Sequence, residues 1–127
     1  MKSIGIIGTG NIGRAFATAL ARNNIRATLS NSRGPDSLSE VGAAIGPTIQ
    51  AGSREEAAAK DIVFVAVSWS KLPAALSGLP DFAVRIVIDA NNPIEGALFK
   101  PAELNGRLST EVLTGLVPGA RVVKAFN

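Results

Sequence analysis

The sequence predicts an α/β fold in which an open parallel sheet is doubly wound, with helices on both of its faces. Three observations predict it. Short apolar segments alternate along the 127 residues with segments of helical periodicity. The segment at 61–67, DIVFVAV, is almost entirely apolar, which is typical of a parallel strand covered on both faces. A glycine-rich turn follows the first apolar segment and opens the first helical one.

Six segments have the length and apolar content of strands, and they are residues 2–7, 25–30, 48–51, 61–67, 84–89 and 121–125. Helical patterns between them cover 11–23, 35–45, 53–60, 70–78 and 109–116. The third helix begins at Ser53, with Glu56 at capping-box spacing. Residues 90–108 contain two prolines and two glycines and predict a loop. The expected strand order is 3-2-1-4-5-6, with ligands beyond the carboxyl ends of strands one and four.

The composition narrows the chemistry that the chain can perform. It contains neither His nor Cys, so disulfides, thiol chemistry, the usual transition-metal ligands and the commonest general base are missing. Reaction chemistry must therefore come from a cofactor or be very simple. A chain of this length makes one domain and leaves no room for a second, so residues 1–127 are expected to form a single domain.

The charge distribution argues against nucleic-acid and membrane partners. The net charge is +3, but the 13 Lys and Arg residues are scattered, without a run or a helical stripe. Residues 1–21 superficially resemble a signal peptide, although glycines and polar residues interrupt the apolar region. No later segment approaches the roughly 18 apolar residues of a membrane span. We therefore expect a cytoplasmic protein.

The turn GTGNIG, from Gly8 to Gly13, matches the G-x-G-x-x-G fingerprint of dinucleotide-binding Rossmann domains. The pattern alone is weak, but here it follows a predicted strand and opens a predicted helix. Gly8 is expected to permit the tight turn, Gly10 to let the backbone approach a pyrophosphate, and Gly13 to let the helix lie close to the strand. The helix N-terminus then offers free N–H groups and a positive dipole end to the anion. The alternative is a turn whose glycines serve packing only.

The second predicted strand is followed by SNSRGP, where an NAD site would place a carboxylate for the ribose hydroxyls. Asn31, Ser32 and Arg33 stand there instead. Arg33 offers a guanidinium fork to a phosphate, and Asn31 and Ser32 can donate hydrogen bonds to its oxygens. This stretch favours NADP over NAD as the ligand. The alternative is that Arg33 is a solvated surface residue.

Small and polar residues also follow the fourth and fifth predicted strands. The residues expected to line the cofactor there are Ala66, Val67, Ser68, Trp69, Asn91, Asn92 and Pro93. Asn91 and Asn92 are expected to hold the nicotinamide ribose or carboxamide, with Pro93 fixing the turn beside the ring. Trp69 either covers cofactor or substrate or fills space in the core.

Together, GTGNIG, SNSRGP, the Ala-Val-Ser-Trp edge, the Asp-Ala-Asn-Asn-Pro turn and the terminal VVKAFN resemble the N-terminal domain of the NADPH-dependent reductases of the deazaflavin coenzyme F-420. The resemblance covers essentially the whole chain and implies a Rossmann domain. By this resemblance, the ends of the fourth, fifth and sixth strands line the nicotinamide. The residues that it implies for holding NADP are Thr9, Asn11, Ile12, Ser32 and Arg33.

Members of that family continue past the VVKAFN segment into a small helical domain that helps form the deazaflavin pocket and the dimer, and this chain stops there. Three functions are therefore considered. The first is hydride transfer from NADPH to a deazaflavin or similar small redox acceptor. The second is a non-catalytic NADP-binding module or redox sensor. The third is a β-hydroxyacid or imine-type dehydrogenase, which would need Lys124 or Asn127 beside the substrate, although the Lys124 amine is expected at the surface. The hydrophobic last strand is compatible with a homodimer.

Overall fold

The computed structural model describes residues 2–91, 94–95, 100–101 and 109–125. The strands are β1 (Ile4–Ile7), β2 (Ala27–Ser30), β3 (Ile49–Ala51), β4 (Ile62–Val65), β5 (Ile86–Asp89), β6 (Ile94–Glu95), β7 (Lys100–Pro101) and β8 (Arg121–Lys124). The α-helices are α1 (Asn11–Arg22), α2 (Ser39–Ile45), α3 (Arg54–Ala58), α4 (Leu72–Leu76) and α5 (Ser109–Leu116). Short 3-10 helices at Pro35–Leu38 and Trp69–Lys71 lead into α2 and α4.

Six of these strands form one parallel sheet in the order β3-β2-β1-β4-β5-β8. This confirms the predicted doubly wound Rossmann-type fold, with β8 as the sixth strand of the sheet. β1 lies at the centre, with Ile6 opposite Leu29 of β2 and opposite Phe64 of β4. The order reverses beside β1, which places the crevice of the fold at the carboxyl ends of β1 and β4.

The prediction of a plain loop at residues 90–108 was incomplete. β6 and β7 form a separate antiparallel pair, with Ile94 opposite Pro101 and Glu95 opposite Lys100. Strands of two residues are too short to show an alternating pattern, so no periodicity predicts them. The rest of residues 92–108 lies outside the described residues.

Two apolar layers fix the sheet from its two faces. On one face, Ile6, Leu29 and Phe64 pack under α1, where the Phe16 and Phe64 rings stack with centroids 4.0 Å apart. On the other face, strand residues such as Val65 and Val87 pack against the helices α3, α4 and α5. Because both faces are covered, the carboxyl ends of the central strands are held rigidly and can position a site.

The predicted capping box at the start of α3 is present. The Glu56 backbone N–H donates to Ser53 Oγ at 3.0 Å, and the Ser53 backbone N–H donates to Glu56 Oε1 at 3.1 Å. The backbone hydrogen bond from Ser53 is the main cause that lowers the pKa of the Glu56 carboxyl. This cap fixes where α3 begins and so places Arg54 at the first position of the helix.

Within the described ranges, none of the helices has the length and apolar content that crossing a membrane requires.

Candidate functional site

The turn from β1 into α1 admits no side chain at its first glycine. Gly8 has φ +119°, and its backbone N–H donates to the Ser30 carbonyl at the end of β2 at 3.0 Å. A Cβ on Gly8 would lie 2.0 Å from the Ala66 carbonyl oxygen at the end of β4. The turn is therefore wedged between β2 and β4, and only glycine can occupy this position.

The other two glycines of the turn differ in what surrounds them. A Cβ on Gly13 would lie 2.2 Å from the Gly8 carbonyl oxygen and 3.8 Å from the Ile6 side chain, so α1 lies close to the end of β1, as predicted for this glycine. A Cβ on Gly10 would have no neighbouring atom within 4 Å. Packing thus explains Gly8 and Gly13, whereas Gly10 faces open space at the N-terminus of α1.

That open space belongs to a cavity of about 790 Å³ at the carboxyl ends of β1, β2 and β4. Its walls come from the glycine turn, the loop after β2, the segment after β4, the start of α3, and α4 with the 3-10 helix before it. The lining residues are Ile7, Gly8, Thr9, Gly10, Arg14, Asn31, Ser32, Arg33, Arg54, Ala66, Val67, Ser68, Lys71, Ala74 and Ala75. The cavity lies at the crevice that the strand order predicts.

Among the described residues, this cavity is lined by four cationic side chains and by no carboxylate. The cations are Arg14, Arg33, Arg54 and Lys71. The N-terminus of α1 opens onto the same space, and its first turn contains no acidic residue. The macrodipole of this twelve-residue helix adds further positive potential at that point. The cavity is therefore suited to a ligand that carries several negative charges.

Asn31 shapes the loop after β2. Its Oδ1 accepts hydrogen bonds from the backbone N–H groups of Arg33, at 3.0 Å, and Gly34, at 2.9 Å. Its Nδ2 donates to Ser37 Oγ at 2.9 Å. This arrangement turns the chain immediately after β2 and leaves Ser32 and Arg33 exposed at the cavity wall.

Three of the four cations were missed in the sequence. Arg14 lies one position after the last glycine of the turn, and its Nε donates to the Thr9 carbonyl at 2.8 Å. Arg54 Nη1 donates to the carbonyls of Ala75, at 3.0 Å, and Ser77, at 2.6 Å, at the end of α4. The capping box at Ser53 was the one signal that located Arg54. Lys71 ends the short 3-10 helix Trp69–Lys71, where no periodicity pointed to it.

The side chains after β4 and β5 do not all face the cavity. Trp69 is buried in the core. Of the two roles predicted for it, its position matches the one in which it fills space in the core. Asn91 is 2 % exposed, and its Oδ1 accepts a hydrogen bond from the Val67 backbone N–H at 2.8 Å. Its amide therefore holds the segment after β4 in place. Asn92 and Pro93 lie outside the described residues, as does Asn127.

The expected surface position of the Lys124 amine was wrong. Its Nζ lies 3.5 Å from Oδ1 of the fully buried Asp89 and donates to the Asn91 carbonyl. The parallel register places Lys124 directly opposite Asp89. A buried carboxylate on the neighbouring strand draws the ammonium inward, because an unpaired buried charge is costly.

The structure brings most of the predicted cofactor residues to one cavity. Those in its lining are Gly8, Thr9, Gly10, Asn31, Ser32, Arg33, Ala66, Val67 and Ser68. Those described but absent from its lining are Asn11, Ile12, Gly13, Trp69 and Asn91. For both groups, contact with a cofactor stays a prediction.

A family model described as NADP oxidoreductase, coenzyme F420-dependent, matches residues 3–93, which is well over half of the chain. The chain belongs to this family. Membership confirms the resemblance drawn from the motifs and makes the chain an NADP-binding, oxidoreductase-type domain. The cationic cavity lies within the matched segment, since its lining residues fall between Ile7 and Ala75.

Individual relatives are longer than this chain. The chain is 31% identical over 126 residues to the metalloreductase STEAP3 of Rattus norvegicus, covering 98% of this chain and 24% of that protein. A hypothetical protein from Sinorhizobium meliloti is 42% identical with a TM-score of 0.90, over 100% of this chain and 62% of its own. A protein of Arthrobacter sp. assigned as an F420-dependent NADP reductase is 26% identical with a TM-score of 0.81, over 100% of this chain and 63% of its own.

The three glycine environments predict different effects of adding one methyl group. Gly13→Ala should lower the free energy of unfolding by about 3 kcal/mol or more, because its Cβ would overlap backbone. Gly10→Ala should change it by less than about 1 kcal/mol. Urea denaturation measures both. Gly115→Ala, at an exposed position inside α5, is the control and should raise stability by about 0.5–1 kcal/mol. Equal stability of the Gly10 and Gly13 variants would contradict the packing described for the turn.

Proposed function

We propose that this chain binds NADPH in the cationic cavity and serves hydride transfer to a deazaflavin acceptor. The observation that carries the proposal is the wall of four cations, without a carboxylate, that joins the glycine turn to the loop after β2 in the described part of the chain. The family that the chain belongs to is named for both NADP and coenzyme F420.

The pyrophosphate is assigned to the turn at Gly8–Gly10. Gly10 leaves room there for close approach of an anion, and the N-terminus of α1, which has no side-chain cap among the described residues, faces it. Arg14 lies beside the same turn, where its Nε hydrogen bond to Thr9 fixes the guanidinium near the assigned pyrophosphate. Backbone dipole and side-chain charge therefore act on the same phosphates.

The 2′-phosphate is assigned to Ser32 and Arg33. Both are exposed on the loop that Asn31 holds in shape, so their side chains are free to meet a ligand. A charge-assisted hydrogen bond is worth roughly 1.5–3 kcal/mol. Two such contacts to a phosphate that NADH lacks would give a preference of about a hundredfold for NADPH.

The remaining part of the cleft is assigned to the nicotinamide half of the ligand. If the 2′-phosphate lies over β2 and the pyrophosphate over β1, the other half extends toward β4, where Ala66 and Val67 line the cavity. The bound cofactor supplies a hydride, so the protein needs no His or Cys for the transfer. What these residues contribute is orientation of the ring and exclusion of water.

The acceptor is proposed from the family rather than from a pocket of this chain. The family description names coenzyme F420, whereas the rat relative is named a metalloreductase, so acceptors differ among relatives. The chain spans about three fifths of each of the two structural relatives. A homodimer and the absence of nucleic-acid partners remain part of the same proposal.

Replacing Arg33 tests the 2′-phosphate assignment. Arg33→Asp should raise the dissociation constant for NADPH by about a hundredfold, because it removes a cation and adds a repelling carboxylate. The constant for NADH should change by less than about threefold, since NADH has no 2′-phosphate. Fluorescence titration measures both. Arg26→Asp is the matched control, because Arg26 is exposed, carries the same charge and lines a different cavity. Equal weakening of both cofactors by Arg33→Asp would remove Arg33 from this role.

Mixing the chain with NADPH and oxidised coenzyme F-420 tests the acceptor. Hydride and a solvent proton should convert the deazaflavin to its reduced form and NADPH to NADP⁺, seen as a loss of NADPH fluorescence above the rate without protein. A parallel mixture with a flavin separates the two acceptor classes. Binding of NADPH without its oxidation by F-420 would leave the cofactor assignment standing and contradict the acceptor assignment for this chain.

A further inference from the structure

A charge pair, in which Asp89 is fully buried and Lys124 is partly buried, lies at the carboxyl ends of β5 and β8, outside the cavity lining. Asp89 is 0 % exposed, and its Oδ1 accepts hydrogen bonds from the Asn91 backbone N–H at 3.0 Å and from Asn91 Nδ2 at 2.9 Å. Lys124 Nζ lies 3.5 Å from the same oxygen. Asp89 Oδ2 has no hydrogen-bond partner among the described residues. Lys124 is thus the described cation that neutralises this carboxylate.

The pair is connected to the cofactor cavity through Asn91. Lys124 Nζ also donates to the Asn91 carbonyl, so one ammonium contacts both Asp89 and Asn91. Asn91 Oδ1 in turn accepts the Val67 backbone N–H at 2.8 Å. Val67 lines the cavity next to Ala66, whose carbonyl is in close contact with the glycine turn. A continuous chain of polar contacts therefore runs from the last strand to the cavity wall.

Stability alone does not account for this arrangement. Burying an ion pair costs about as much as its attraction returns, and apolar residues of similar volume often serve a core as well or better. The neighbours of the pair along β5 and β8 include the apolar Val87 and Val122, which show that this layer accepts such residues. The pair instead orients the Asn91 side chain. Asn91 keeps its side-chain oxygen Oδ1 on the Val67 N–H only while Asp89 holds the backbone and side-chain N–H groups of Asn91.

The geometry points to Lys124 as a positioning residue for the nicotinamide half of the bound dinucleotide, an inference that rests on the proposed NADPH site. By neutralising Asp89 and holding the Asn91 carbonyl, Lys124 keeps the segment at Ala66–Val67 at a fixed distance from the glycine turn. The adenosine half is held on the other side of β1, by Ser32 and Arg33, and does not touch this network. Loss of Lys124 should therefore weaken binding of the nicotinamide half of the ligand and leave binding of the adenosine half unchanged.

Two ligands separate the halves, namely NADPH and adenosine 2′,5′-bisphosphate, which keeps the 2′-phosphate and lacks the nicotinamide. Lys124→Met should raise the dissociation constant for NADPH by about tenfold and change that for the bisphosphate by less than about twofold. Hydrogen exchange of the Val67 amide should become faster, because its acceptor on Asn91 loses its orientation. Lys124→Arg retains the charge and should recover most of the NADPH affinity.

Lys2→Met is the matched control, since Lys2 is exposed just before β1, at the amino ends of the strands, and should leave both constants unchanged. If Lys124→Met does not fold, Asn91→Ala leaves the ion pair in place and should produce the same split between the two ligands. An equal rise in the dissociation constants for both ligands, or no change in either constant, would overturn the positioning role. Failure of the unmodified chain to bind NADPH or the bisphosphate would instead reject the proposed NADPH site.

Discussion

The structure depends on the contact between the backbone at Gly8 and the end of β4. The Ala66 carbonyl lies where a side chain on Gly8 would have to be, and the Gly8 N–H is bonded to Ser30 on the other side. The turn is therefore clamped between two strands, and α1 must begin immediately after it because Gly13 lies against the same backbone. One steric constraint thus sets the position of the helix N-terminus, and with it the place where an anion can be held.

Charge and packing have separate parts in the cleft. The apolar layers above and below the sheet hold the strand ends, while the cations reach the cavity from four different segments of the chain. Two of them, Arg14 and Arg54, are held by hydrogen bonds to carbonyl groups, so their charges have fixed positions. Arg33 is exposed on a loop that Asn31 braces from within. For Arg14 and Arg54, contact with a polyanion would therefore cost little further side-chain freedom.

The fold and the glycine turn could be predicted because their signals are local. An apolar run such as 61–67 predicts a strand at those same residues, and the spacing from Gly8 to Gly13 predicts a turn at those same residues. Asn91 and Lys124 could not be assigned in the same way. Their contacts depend on the register between β5 and β8, which the sequence near them does not indicate. Trp69 is a similar case, since a single aromatic residue after a strand gives no sign of which side it packs on.

The central claim is that the cavity selects a dinucleotide with an additional phosphate, and the most direct measurement compares the unmodified chain's dissociation constants for NADPH and NADH at one ionic strength. NADPH should bind about a hundredfold more tightly than NADH, because only NADPH carries a 2′-phosphate that reaches the cations beyond β2. Equal affinity for the two cofactors, or binding of neither, would contradict it.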